Sequence, residues 1–245
     1  MPAIKINDRI SYIPACEKPL SADVGIVRGD KRTYLFDVGS TLETLDFLHG
    51  IEGEFDIAVS HFHEDHTWWL TKHELKTNGD EPVSKEDLTS ATYERPHFER
   101  LFVGSYTRKY IPEGQVISAP AIISTRNGIL CSADERTVAD DPAEYDGVKV
   151  VLLPIPNSHC KGSLAMMVDD EYLFIGDSGY CMDKDDKHFY NAQLLKAEIE
   201  LLESLPAEKL LISHDRKFVR NKAVMLRQLK AFYSHRTSDS PYIYV

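Results

Sequence analysis

The chain lacks any apolar run approaching the ~18 residues that a bilayer-spanning helix needs. Its opening residues, MPAIKINDRISYIPACEKPL, have no uninterrupted apolar stretch behind a basic start, so no secretory leader is read there. A cytoplasmic protein is expected. Positive charge is also scarce. The formal net charge is −11, which repels a phosphate backbone, so neither nucleic acid nor a membrane is an expected partner. The most basic stretch carries Arg95, Arg100, Arg108 and Lys109 but mixes them with Glu94 and Glu99. It reads as a solvated face of both signs. The four cysteines, Cys16, Cys131, Cys160 and Cys181, form no CxxC pair and no zinc-finger spacing. Reduced thiols are expected. There is no repeat of solenoid period and no low-complexity segment.

What remains is an ordinary globular composition. The 245 residues are 42% hydrophobic and 10% aromatic, enough to build a sizeable core, and residues 1–245 are read as a single domain. Short strand-like runs at 24–29 and 33–38, joined by a turn at Asp30 and Lys31, predict a hairpin. Residues 41–49 predict a short helix capped by Thr41. Residues 55–59 predict a buried strand running into SHFHEDH. The polar stretch 71–115, broken by NGDEP and carrying Tyr93, Phe98, Phe102, Tyr106 and Tyr110, reads as an insertion. Further on, 148–153 is a predicted strand. Residues 163–168 and 172–176 form a second hairpin, and 189–204 an amphipathic helix closed by Pro206. Residues 209–213 are a strand and 220–233 a final helix. Each strand that ends in His or Asp would deliver it to one edge, a pattern of two packed sheets with helices outside.

The chemistry sits at those strand ends. In SHFHEDH, His61 and His63 are two apart, so on extended chain both imidazoles face one way and can grip one ion. Asp65 and His66 follow on the turn and can reach a second. Imidazole with carboxylate suits zinc first, with iron or manganese as alternatives. Singly, His159, Asp177, His214 or Asp37 would each read as a structural His or turn Asp; the case for them is joint.

The sequence resembles the metallo-β-lactamase superfamily. FDVGS at Asp37, SHFHEDH, His159 in PNSHCKGS, Asp177 in LFIGDSGY and His214 in LLISHDR match its five motifs in order. The resemblance implies an α/β (α+β type) fold, the four-layer αββα sandwich. It implies two divalent ions, one held by His61, His63 and His159 and the other by Asp65, His66 and His214, with Asp177 bridging and Asp37 supporting the loop. Metal binding lowers the pKa of water from about 16 to about 7, so the implied reaction is hydrolysis of a small-molecule substrate by shared hydroxide. Asp65 has an added role, orienting that nucleophile or carrying a proton. His63 stands where flavin-linked diiron relatives carry Glu, and Asp177 stands where true zinc β-lactamases often carry Cys. Tyr180, three residues after Asp177, and Asp215, next to His214, resemble the N-acyl-homoserine lactonase branch, where the phenol would steady an oxyanion. Trp68 and Trp69 depart from the small residues usual after the Asp-His pair and are candidate pocket walls. Ser158 replaces a common glycine. A carbonyl ester or lactone is therefore the expected substrate. A phosphodiesterase, nuclease or mononuclear iron dioxygenase of the same fold remains as an alternative, and no oligomeric state is fixed.

Overall fold

In the computed structural model, residues 3–71, 97–104, 106–111 and 146–245 are described, together with the backbone of strands Val116–Ser118, Ile123–Arg126 and Ile129–Ser132. Two seven-stranded sheets dominate. The first runs Ile4–Lys5, Ile10–Ile13, Val24–Arg28, Arg32–Phe36, Glu54–Val59, Arg100–Val103, Val116–Ser118 in spatial order. The second runs Ile129–Ser132, Ile123–Arg126, Val150–Ile155, Ser163–Val168, Tyr172–Gly176, Lys209–Ile212, Val219–Asn221.

The strands are apolar on both faces because both faces are covered. Tyr34, Phe36, Ala58 and Phe102 point inward from the first sheet and meet Leu152, Met166, Phe174 and Leu211 of the second. The alternate residues Leu35, Ile57, Val59 and Leu101 point outward, onto helices α1 (Leu42–His49) and α2 (Glu64–Thr71). On the opposite side Leu153, Met167, Leu173 and Ile212 point onto α3 (Ala192–Ser204) and α4 (Lys222–Ser234). The result is the expected four-layer αββα arrangement.

Both predicted hairpins form, Val24–Arg28 with Arg32–Phe36 and Ser163–Val168 with Tyr172–Gly176. Thr41 caps α1 by accepting the Thr44 amide. The two long helices start later than the periodicity predicts. Residues 187–191 are a strand that pairs with Tyr242–Tyr244, and Asn191 caps α3 by accepting from the amides of Gln193 and Leu194. Val219–Asn221 is likewise a strand, and Asn221 caps α4.

Part of the insertion expected at 71–115 is described. Arg100–Val103 within it is a strand of the first sheet, parallel to Glu54–Val59. Arg100 gives a forked pair of hydrogen bonds to Asp56 at 3.0 and 2.7 Å, and Arg32 reaches the same carboxylate at 2.9 Å. Asp56 is buried, so two guanidiniums compensate its charge and fasten three adjacent strands. Residues 72–96, 105 and 112–115 of the expected insertion lie outside the described residues.

Parallel pairing sets the site. Arg32–Phe36, Glu54–Val59 and Arg100–Val103 run the same way, as do Tyr172–Gly176 and Lys209–Ile212. Their carboxyl ends open on one edge, the place where α/β folds present their chemistry.

Candidate metal centre

Residues leaving those carboxyl ends converge in two groups. His61, His63, His159 and Asp177 form one; Asp65, His66 and His214 form the other, and within each group the ligand atoms lie within 4.8 Å of one another. The sequence nominated all seven. In the first group His61 Nε2 is 2.8 Å from His63 Nδ1, and His159 Nε2 is 3.2 Å from it. In the second, His214 Nε2 and His66 Nε2 lie 2.9 and 3.5 Å from Asp65 Oδ2. Asp177 stands between the two. Its Oδ2 is 3.3 Å from His159 Nε2 and 4.0 Å from His61 Nε2, while its Oδ1 is 3.4 Å from His66 Nε2 and 3.9 Å from His214 Nε2.

These residues fit a pair of cations. Donors around a tetrahedral ion with bonds of about 2.0–2.1 Å lie about 3.3 Å apart, inside the range found. His66 Nε2 and Asp177 Oδ1 are fully buried and have no hydrogen-bond partner among the described residues. Buried polar atoms rarely go unsatisfied, and both of these orphans point into the second group.

The support behind the ligands sets their tautomers. Asp37, fully buried and in the left-handed region at φ 65°, accepts from the Ser60 amide at 2.7 Å and the Ser60 hydroxyl at 2.8 Å. His66 Nδ1 lies 2.8 Å from Asp37 Oδ2. A carboxylate can only accept, so Nδ1 carries the proton and Nε2 keeps its lone pair for a ligand. Ser60 Oγ, having given its proton to Asp37, accepts from His61 Nδ1 at 2.9 Å and leaves His61 Nε2 free in the same way. Gly176 lets the loops close. It sits at φ 56°, and a Cβ there would fall 2.5 Å from Ser60 Cβ.

Asp23 is a supporting residue that sequence reasoning missed. Its Oδ2 accepts from the backbone amide of His214 at 2.9 Å, its Oδ1 from the Ala15 amide, and its own amide donates to Ser213 Oγ. It therefore holds His214 in its left-handed conformation, φ 60°. Ser60 was missed as well. Ser158 accepts from the Asn191 amide, which ties the His159 loop to the start of α3.

Electrostatics separate the two groups. Burial lowers His61 well below its ordinary value, and the imidazoles around it lower it further. Burial and the neighbouring His159 lower His63. Burial also lowers His159, and Asp177 only partly opposes it. For His66 burial acts downward, but Asp37 and Asp177 overcome it and raise the group well above its ordinary range. Burial would raise Asp65, yet the His214 hydrogen bond and the charge of His66 bring it to about 2. Burial acts downward on His214 too, but the Asp65 hydrogen bond and the charge of Asp177 raise it. The first group's imidazoles are thus pushed toward their neutral form, while in the second group carboxylates draw protons onto His66 and His214.

Three further expectations find their places. The Tyr180 hydroxyl donates to the Ser213 carbonyl at 2.9 Å, bracing the residue before His214. Trp69 is buried against α1, its indole N–H donating to the Thr41 carbonyl at 3.2 Å and Thr44 Oγ1 at 3.1 Å. Trp68 packs on the same apolar cluster. Trp69 is thus packed in the outer layer and Trp68 is partly buried on it, while Thr67 hydrogen-bonds the His63 carbonyl. Cys160 is buried, burial raises its thiol, and its amide donates to Asn157. Cys16, Cys160 and Cys181 are free thiols.

Comparison with known proteins agrees with this architecture. The family model described as the metallo-beta-lactamase superfamily matches residues 18–214. No curated protein matches by sequence. Among solved structures, an archaeal metallo-beta-lactamase superfamily protein from Sulfolobus tokodaii is 18% identical, with a TM-score of 0.53 over 93% of this chain and 87% of that one. The DIM-1 metallo-beta-lactamase is 11% identical, with a TM-score of 0.58 over 95% and 96%. The chemotaxis sensor ODP, solved as a peroxy diiron species, is 13% identical, with a TM-score of 0.56 over 94% of each. The family match covers all seven clustered side chains and the Asp37 that braces them, and the chain belongs to the metallo-beta-lactamase superfamily.

Proposed function

We propose that the protein is a dinuclear metal-dependent hydrolase acting on a lactone or another carbonyl ester. The observation that carries this reading is Asp177, whose two carboxylate oxygens face different ligand groups, one of them buried without a partner. A single-ion or purely structural role has no use for a carboxylate shared in that way.

His61, His63 and His159 would hold one divalent cation and Asp65, His66 and His214 the other, with Asp177 between them. Zinc is our first choice; iron and manganese also accept such a donor set. When bound, the pair supplies Lewis acidity and a water acidic enough to act near neutral pH. The chain's own residues set the rest. Asp37 and Ser60 fix the tautomers of His66 and His61. Asp23 fixes the backbone of His214. Asp65, at the edge of the cluster, would orient an attacking water by accepting from it or carry its proton. Tyr180 has its proton engaged by Ser213, so an oxyanion role would require that bond to break; as it stands, the phenol positions His214.

The test is acid release, followed with a pH indicator, when zinc-loaded protein meets a panel of acyl-homoserine lactones, simple lactones and aryl esters. Turnover is expected, suppressed by chelation and abolished by His63→Ala with the fold retained. A folded, metal-free protein that keeps full activity would falsify the dinuclear reading.

A further inference from the structure

Two loops from different sheets meet beside His63. One, Gly104 with residues 106–111, follows strand Arg100–Val103; the other, residues 159–162, follows strand Val150–Ile155. Their backbones touch. A Cβ on Gly104 would lie 1.9 Å from the Gly162 carbonyl oxygen, and a Cβ on Gly162, at φ 72°, would lie 2.8 Å from Tyr106 Cβ. Glycine at both positions lets Tyr106 sit against the segment His159-Cys160-Lys161-Gly162.

Phe62, between two of the clustered histidines, adds to that meeting point. It stacks on Tyr110 at 4.4 Å with 16° between the rings, meets Tyr106 edge-on at 5.5 Å, and meets His63 edge-on at 4.9 Å. The Tyr110 hydroxyl donates to that of Tyr106 at 3.3 Å. Tyr110 is 46% exposed, so the ledge opens to solvent next to the ligand cluster. Two ammonium groups flank it. Lys109 Nζ is 4.9 Å and Lys161 Nζ 5.7 Å from the centre of the Tyr106 ring. Among the described residues neither lysine is ion-paired. In a chain with a net charge of −11, two unpaired cations over one ring beside the candidate metal centre depart from the general field.

We propose that Phe62, Tyr106, Tyr110, Lys109 and Lys161 form a substrate subsite for a flat or apolar group that carries a negative charge. The ring faces take the flat group and the two ammoniums take the anion. Combined with the hydrolase reading, on which this last step rests, the substrate class is an anionic ester or lactone whose charged end lies on the ledge and whose carbonyl reaches the His63 side.

Binding tests the subsite without turnover. The probes are 2-naphthalenesulfonate, whose sulfonate is a poor metal ligand, and methyl 2-naphthyl sulfone, its neutral counterpart. Titrated into zinc-loaded protein at low salt, the sulfonate is expected to bind about tenfold tighter, the scale of one charge-assisted contact. The preference should vanish in Lys109→Gln/Lys161→Gln, checked for native circular dichroism, and survive in Lys109→Arg/Lys161→Arg. Equal affinities in the native protein, or a preference that outlives the glutamine pair, would overturn the proposal. Lysine-dependent binding in a protein that hydrolyses no ester in the panel would sustain the subsite and sink the hydrolase reading.

Discussion

Asp37 has no direct place among the ligands, yet three donors converge on it: the Ser60 amide, the Ser60 hydroxyl and His66 Nδ1. In Asp37→Asn one carboxylate oxygen becomes an NH2 donor facing another donor, so the His66 tautomer is no longer imposed. Metal affinity is expected to fall about 10–100-fold, the usual cost of losing such support, as read by competition with a chromophoric chelator. An unchanged affinity would mean that the ligands hold themselves in place. Gly176 makes a second residue-scale case. Gly176→Ala combines a positive φ with a 2.5 Å approach to Ser60 Cβ, whereas Gly53, at φ 82°, has nothing within 4 Å of its would-be Cβ. Gly53→Ala should cost only the backbone strain, on the order of 1 kcal/mol. Gly176→Ala should cost several-fold more in urea denaturation and also weaken metal uptake, because Asp177 shifts with it. Equal costs would show that Ser60 yields easily.

At the scale of elements, α3 carries an oddity on its buried face. Glu198 is fully buried, neither carboxyl oxygen has a well-formed hydrogen bond among the described residues, and burial raises it to about 8, the nearby Gly179 amide opposing that. The folded chain therefore keeps a proton there that the unfolded chain loses above its ordinary value of 4.5. Stability from this group is greatest below that value and declines as pH rises toward about 8. Between pH 5 and pH 8 the loss should be on the order of 4 kcal/mol. Glu198→Gln, which keeps shape and removes the charge, should flatten that decline in urea melts; the same slope in both proteins would contradict it. Element boundaries also show what the sequence exposed and what it hid. The ligand motifs were legible because each is local, a short word at a strand end. Arg100–Val103 was hidden because a four-residue parallel strand has little pattern of its own, and the partner of Arg100 is Asp56, far back in the chain. The start of α3 was misread because the strand mate of 187–191 lies at Tyr242–Tyr244, beyond any local window. Asp23 was hidden for the same reason: its work is to accept a backbone hydrogen bond from a residue 191 positions away.

For the whole molecule, the cluster concentrates five imidazoles and two carboxylates at one edge, so an ion that binds only the folded state should stabilise all of it. At a thousandfold excess over Kd that is about 4 kcal/mol, which for a chain of this size is on the order of 10 °C in Tm. Thermal unfolding with chelator, and again after zinc is restored, checks this. A Tm indifferent to both would argue that the cluster holds no ion in the folded protein.

The donors are also divided along the chain. His61, His63, Asp65 and His66 follow a strand of the first sheet; His159, Asp177 and His214 follow strands of the second. Neither sheet alone completes either group. With the ligands assigned as above, tight capture of an ion has to wait until one sheet has docked on the other, so loading is a late event in folding and reports that docking. The centre then acts as a clasp: a partly opened molecule gives up its metal before it gives up its strands.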